Sequence, residues 1–241
     1  MLIVAHRGAS GTAPENTLAS FKLAWQKNAD AIEGDFQLTK DGVIVCIHDD
    51  NTERVGDQNL IVVESTLQEL KTVDIGSYRA KEFSDERIPT LDEVIATIPN
   101  GKKILIEVKC GTEIVPILMD QLDQSKLKPD QIVIISYDAD VVRSSKALAP
   151  QYQVYWLYDF DENCDIGNIT ATLVDIRADG LSSNNIKSKD LVDAVLELGL
   201  TYHAGWTMID LVLVCKVIDW GASSITTNNP KRLRKMLTSS A

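Results

Sequence analysis

Short apolar runs alternate with longer segments whose apolar positions recur every three or four residues, and this rhythm persists along almost the whole chain. A short continuous apolar run suits a strand covered on both faces, and a spacing of three to four suits a helix laid against it. Strands are predicted over 2–6, 31–37, 103–109, 131–137, 154–158, 174–182, 200–206 and 223–227. Helices are predicted between and after them, over 16–28, 90–99, 112–124, 139–149, 161–170, 188–198, 208–220 and 230–238. Eight strand-then-helix units in series predict an α/β fold, a (β/α)8 TIM barrel rather than an open doubly wound sheet.

Local signals sharpen some of these elements. Thr90 followed by Glu93 has the spacing of a capping box, and Gly199 ends the apolar face of SKDLVDAVLELG. The unit QVYWLYDFDENCDIGNIT carries the weakest pattern. Between Asp50 and Arg87 the alternation stops: the chain is polar and too long for an ordinary connection. It reads as a small insertion after the second strand, on the face of a barrel where active sites sit. With no linker-like composition elsewhere, residues 1–241 are expected to form one barrel domain with the insertion at about 50–87.

Composition narrows the function classes. A chain of 241 residues with 44% hydrophobic content can bury a large core. A formal charge of -11 repels polyanions, so no nucleic-acid partner is expected, and positive charge for an anionic substrate must be supplied locally. The closing KRLRK reads as a charged helix face. Cys46, Cys110, Cys164 and Cys215 form no close pair and read as free thiols in a reducing compartment. The start lacks the basic and apolar regions of a leader, and no apolar stretch is long enough to span a bilayer, so the expectation is a cytoplasmic protein with no membrane span. Nothing in the pattern sets an oligomeric state.

The ionisable residues gather at predicted strand ends. His6 and Arg7 end the first strand, Glu33 and Asp35 lie two apart on one side of the second, and Glu107 and Lys109 repeat that spacing on the third. Three neighbouring carboxylates repel unless a cation sits among them, and all-oxygen ligands suit Mg²⁺ or Ca²⁺. The turn at Asp41 and Gly42 folds VIVCIH back antiparallel, which brings His48 opposite Glu33 or Gly34. Two imidazoles beside a cation, with Arg7 and Lys109 near, suit phosphate-ester cleavage: one takes a proton from the nucleophile, the other gives one to the leaving alkoxide. Asp49 and Glu15 are placed to orient the histidines, and Glu15 and Asn16 equally to cap the first helix. His203 matches no motif and reads as a strand or rim histidine.

The series HRG, PENT, EGD, HDD, IPTLDEV and EVK, in this order, resembles the glycerophosphodiester phosphodiesterase family over most of the chain. The resemblance implies a metal-dependent hydrolase that cleaves glycerophosphodiesters to glycerol 3-phosphate and an alcohol. It implies His6 and His48 as the acid/base pair, Glu33, Asp35 and Glu107 as ligands of Mg²⁺ or Ca²⁺, and Arg7 and Lys109 as phosphate contacts. Trp206, in the GWT of 205–207, becomes a wall against the glycerol or leaving group. Either histidine suits either role, and either water or the substrate's own hydroxyl suits the attack. The chain departs from the family at Ser223, Ser224, Thr227 and Asn228, and at Met208 and Ile209, changes expected to alter the substrate pocket and leave the catalytic set intact. Alternatives are a lyase-type phospholipase leaving a cyclic phosphate and a non-catalytic phosphodiester-binding barrel. A metal-dependent amidohydrolase is disfavoured, because the first strand lacks a His-x-His pair.

Overall fold

The computed structural model describes residues 1–159, 164–184, 188–205 and 211–239. Nine strands appear among them: β1 (Leu2–Ala5), β2 (Ala31–Leu38), β3 (Ile44–Cys46), β4 (Lys103–Val108), β5 (Ile132–Ser136), β6 (Gln153–Tyr158), β7 (Gly180–Ser183), β8 (Thr201–Ala204) and β9 (Ser224–Thr227). The helices are α1 (Leu18–Gln26), α2 (Leu67–Leu70), α3 (Leu91–Ala96), α4 (Ile114–Asp123), α5 (Ala139–Leu148), α6 (Ile166–Asp175), α7 (Lys189–Glu197), α8 (Leu211–Asp219) and α9 (Pro230–Ser239). All strands but β3 run parallel, and β1 pairs with both β2 and β9, which closes an eight-stranded (β/α)8 barrel. β3 lies outside the closure, antiparallel to the upper half of β2.

Strand alternation divides the core in two. Val4, Ala31, Leu105, Val133, Ile135, Tyr155 and Leu157 point inward and fill the barrel. Their neighbours Ile3, Ile32, Ile104, Ile106, Ile132, Ile134 and Val154 point outward against the helices. Toward β8 and β9 the inner layer turns polar: His203 is buried, with Nδ1 2.6 Å from Ser224 Oγ and Nε2 2.8 Å from Thr226 Oγ1. It is an interior residue, away from the rim. Between β3 and α3, residues 50–87 bring a third small core, in which Val55, Val62, Leu70, Val73 and Ile75 pack on Val45, Ile47 and Ile88.

Two boundaries differ from the sequence pattern. The helix predicted over 161–170 runs instead as α6, from an Asp165 cap whose Oδ1 accepts from Gly167 N at 2.8 Å; residues 160–163 lie outside the described set. The strand predicted from 174 begins at Gly180, because Val174 and Asp175 complete α6. The helix stops where Arg177 adopts a left-handed φ of 56°, with Ala178 N bonding back to Leu173 O and Arg177 N to Val174 O. This is the closing geometry usually signalled by glycine, and here arginine hides it. α7 ends the same way with the expected residue: Gly199 has φ 74° and Leu200 N reaches Val195 O. Thr90 caps α3 in a capping box with Glu93.

Candidate active site

His6, Arg7, Glu33, Asp35, Glu107 and Lys109 stand toward the C-terminal ends of β1, β2 and β4. β1 ends at Ala5, and the chain turns sharply through Arg7 and Gly8, with φ of 51° and 79°. A left-handed arginine costs about 1 kcal/mol, and the surroundings hold it there. Its N–H donates to Glu33 Oε2 at 2.8 Å, and its carbonyl accepts from Asn16 N at 3.1 Å and Ser20 Oγ at 2.9 Å. Gly8 is required on two counts, its positive φ and the absence of room for a Cβ against Ser20. The small residues after His6 therefore shape the backbone that aims Arg7 across the barrel mouth.

Glu33, Asp35 and Glu107 meet there, each offering an oxygen within 4.8 Å of the others'. Glu33 and Asp35 are 3% and 1% exposed, a placement that ionised carboxylates rarely take without compensation. Burial, then repulsion from Asp35 and Glu107, pushes the Glu33 carboxyl well above its ordinary value; burial and Asp35 raise Glu107 as well. Glu33 Oε1 and Asp35 Oδ1 are buried with no hydrogen-bond partner. Orphaned anionic oxygens converging at this spacing fit the ligand set of a hard divalent cation, and these three residues could hold one. Two protein cations flank the group: Arg7 Nε lies 3.1 Å from Asp35 Oδ2, and Lys109 Nζ 2.8 Å from Glu107 Oε1. Burial opposes both charges, yet the neighbouring carboxylates hold both groups above their ordinary values, so both stay charged.

The histidines approach from opposite sides with different partners. His6 N donates to Thr227 O at 3.0 Å, and His6 Nδ1 lies 2.7 Å from Asn228 Oδ1, which also accepts from Ser10 Oγ at 3.1 Å. An amide oxygen only accepts, which assigns the Nδ1–H tautomer to His6. Burial, helped by the Arg7 charge, lowers His6 to about 4, so the ring is neutral at physiological pH. His48 arrives through the hairpin: Phe36 faces Cys46 and Leu38 faces Ile44, a ladder that extends to put His48 across from Gly34. The hairpin turns at Gly42, φ 77°, with Thr39 N bonded to Val43 O. Gln37 Nε2 binds the carbonyls of Ile47, His48 and Asp49 and so fixes the strand as it leaves the hairpin. His48 Nδ1 lies 2.6 Å from Asp49 Oδ1, and Nε2 3.3 Å from Lys109 Nζ.

Glu15 pairs with Arg7, as their spacing allows, and neither Glu15 nor Asn16 hydrogen-bonds a histidine or caps α1. Glu15 touches neither histidine; it accepts from Arg7 Nη1 at 2.8 Å and from both terminal nitrogens of Arg54. Arg54 in turn donates Nε to Asp49 Oδ2 at 2.6 Å, so a chain of ion pairs runs Arg7, Glu15, Arg54, Asp49, His48. Asn16 does not cap α1, because Thr17 does, in a capping box with Ser20. Its own φ of 55° directs the side chain inward, where Nδ2 donates to Asp35 Oδ2 at 2.8 Å and Oδ1 accepts from Asp35 N and Cys46 Sγ. Trp206 lies outside the described residues, as do Met208 and Ile209.

Sequence reasoning passed over Arg54 and the partner of Asn228. Arg54 sits in the polar insertion without a motif. Asn228, one of the departures from the family pattern, contacts the His6 ring itself, a partnership with no local mark in the sequence. Ser224 likewise serves the buried His203.

A family model described as the glycerophosphoryl diester phosphodiesterase family matches residues 6–232, a stretch that takes in every residue of this site. The chain belongs to that family. A Caldanaerobacter subterraneus subsp. tengcongensis protein named glycerophosphodiester phosphodiesterase is 38% identical over 161 residues, 65% of this chain and 66% of the relative. The alignment thus spans slightly under two thirds of that relative. A Bacillus subtilis protein of the same name is 28% identical over 98% of this chain and 86% of its own. Among solved structures, an Oleispira antarctica phosphodiesterase in complex with the product sn-glycerol-3-phosphate superposes with a TM-score of 0.90 at 28% identity, covering 99% of this chain and 97% of that one. Among the described residues, no helix of this family member is long and apolar enough to cross a membrane.

Proposed function

We propose that this chain is a metal-dependent hydrolase that cleaves glycerophosphodiesters to glycerol 3-phosphate and an alcohol. The observation that carries the reading is the pair of buried carboxylate oxygens without a hydrogen-bond partner, Glu33 Oε1 and Asp35 Oδ1, in a site that also holds two histidines, each with an orienting partner on Nδ1. Family membership and the likeness to a phosphodiesterase holding glycerol 3-phosphate support the choice of substrate.

Glu33, Asp35 and Glu107 would hold Mg²⁺ or Ca²⁺, which supplies Lewis-acid polarisation of the phosphoryl oxygen. Arg7 and Lys109 face the same oxygens and offset the negative charge that builds on them. His6, neutral and protonated on Nδ1, presents Nε2 as the acceptor for the proton of the nucleophile, either water, which gives glycerol 3-phosphate directly, or the glycerol hydroxyl, whose cyclic phosphate water then opens. His48 delivers a proton to the departing alkoxide, with the Asp49 carboxylate behind its ring holding its orientation, as a carboxylate does in a catalytic triad. Arg54 and Glu15 tie that carboxylate to Arg7, so the acid and the phosphate clamp share one frame.

The test is release of glycerol 3-phosphate from glycerophosphodiesters by wild type and His48→Ala, in chelator and after Mg²⁺ or Ca²⁺ is restored. Metal-dependent release that His48→Ala abolishes is the expected result. No release from any glycerophosphodiester by folded, metal-loaded protein would overturn the reading.

A further inference from the structure

The inward-facing side chains just past the strand ends form a ring around the barrel mouth, and the phosphate chemistry uses half of it. The other half comes from β5, β6 and β7, each contributing the position two beyond its last inward residue: Tyr137 beyond Ile135, Asp159 beyond Leu157 and Asn184 beyond Ser182. Tyr137 Oη donates to Asp159 Oδ1 at 3.1 Å, and Asn184 Nδ2 donates to Tyr137 Oη at 2.9 Å and to Asp159 Oδ1 at 2.5 Å. The amide therefore spends its donors within the cluster. Its acceptor, Asn184 Oδ1, is left buried with no partner on a side chain only 8% exposed, against Gly205, where a Cβ would overlap it.

Asp159 completes the asymmetry. Both hydrogen bonds it accepts fall on Oδ1, and among the described residues it has no ion pair, which leaves the acceptors of Oδ2 unused. A cavity of about 360 Å³ is lined by Glu107, Lys109, Ser136 and Tyr137 among others, so Tyr137 is the member of the cluster that borders the phosphate side. β4 and β6 are separated by β5 alone, about 10 Å at ordinary strand spacing. A two-carbon alcohol chain on the phosphate, with a hydrogen bond at each end, covers that gap.

The chemistry of the cluster selects the group it would receive. It offers acceptors and one negative charge, which call for a cation with N–H donors. A quaternary ammonium has no N–H and is held by facing aromatic rings; among the described residues Trp156 and Tyr158 pack outward on the helix side, and Tyr137 is the aromatic ring in the cluster. A neutral polyol would leave the Asp159 charge unmatched. We propose that Tyr137, Asp159 and Asn184 form the site for a primary ammonium on the alcohol half of the substrate, so that diesters of an amino alcohol are preferred over those of quaternary ammonium alcohols or polyols. This rests on the phosphodiesterase reading and adds the specificity of the leaving group.

Steady-state kcat/KM for glycerophosphoethanolamine, glycerophosphocholine and glycerophosphoglycerol, in wild type, Asp159→Asn and Asn184→Leu, tests it. Wild type should favour the ethanolamine diester over both others. Asp159→Asn should lower the ethanolamine-to-glycerol ratio about tenfold, mostly through KM, because a site built to pair a polar group discriminates through it. Asn184→Leu, which removes the orphan acceptor without touching the charge, should lower the ratio in the same direction. Turnover of all three diesters with ratios unmoved by either substitution, or a wild-type preference for choline or glycerol, would overturn this proposal alone. Absence of turnover with every diester would instead overturn the phosphodiesterase reading, and this proposal with it.

Discussion

Asn228 Oδ1 sits 2.7 Å from His6 Nδ1, a neutral amide behind an imidazole that lies 222 residues earlier in the chain. An amide fixes the tautomer of the ring without attracting a second proton. His48 has the opposite arrangement, with a carboxylate at 2.6 Å.

Asn228→Asp should therefore move the proton chemistry of His6 while sparing its geometry. A carboxylate at hydrogen-bond distance raises an imidazole pKa by about 1–3 units. With His6 as the proton acceptor, rising protonation removes active enzyme from the acid side, so the acid limb of the kcat/KM profile should shift upward by that amount from its low wild-type position near 4. Superimposable acid limbs in the two proteins would sink His6 as the base.

The three buried carboxylates make metal loading a stability event. Saturating Mg²⁺ or Ca²⁺ at one hundred times its Kd should stabilise the chelator-treated protein by about 2.7 kcal/mol, several degrees of Tm for a chain this size. Glu33→Gln removes a charge that burial and Asp35 disfavour, so metal-free Tm should rise while the metal-induced shift collapses. Calorimetry that found the same metal shift in Glu33→Gln would remove Glu33 from the ligand set.

Arg54→Met should cost activity far more than stability. The side chain is 46% exposed, and ion pairs of that kind contribute about 0–1 kcal/mol. Its contacts nonetheless hold Asp49 against His48 and Glu15 against Arg7, and loss of such support costs about 10–100-fold in comparable sites. A tenfold or greater fall in kcat with Tm within about 2 °C is expected; unchanged kcat would reduce Arg54 to a surface pair.

His203 should give the fold a specific acid sensitivity. Burial lowers it from 6.5 to about 4. Between those values the unfolded chain binds the extra proton, so the contribution of the neutral ring is complete above pH 6.5 and is lost as the pH falls toward 4, up to about 3 kcal/mol in all. Urea unfolding from pH 7 to 4.5 should show a steeper loss for wild type than for His203→Gln, which keeps hydrogen-bonding capacity but does not titrate. Parallel curves would contradict the assignment.

What the sequence disclosed follows the range of each interaction. Strand order and the β2–β3 hairpin rest on local alternation and a turn at Gly42, and both were readable. The two-residue spacings of Glu33 with Asp35 and Glu107 with Lys109 carry their own geometry, which is why the carboxylate group could be anticipated. Partnerships across the barrel carry no local mark: Asn228 with His6, Arg54 with Glu15, and Tyr137 with Asp159 and Asn184 each join separate strand ends or loops. The α6 boundary was hidden for a different reason, an arginine taking the conformation that glycine ordinarily announces.

Closure of the barrel also orients His6. β1 completes its pairing only with β9, and His6 gains its amide partner only from the residue that follows that strand. During synthesis seven strands separate the first loop from the strand whose following residue orients its histidine. Contacts between such distant positions also slow folding, because most of the chain must be ordered before they form. The orientation of His6 thus depends on the last strand of the barrel as much as on the first.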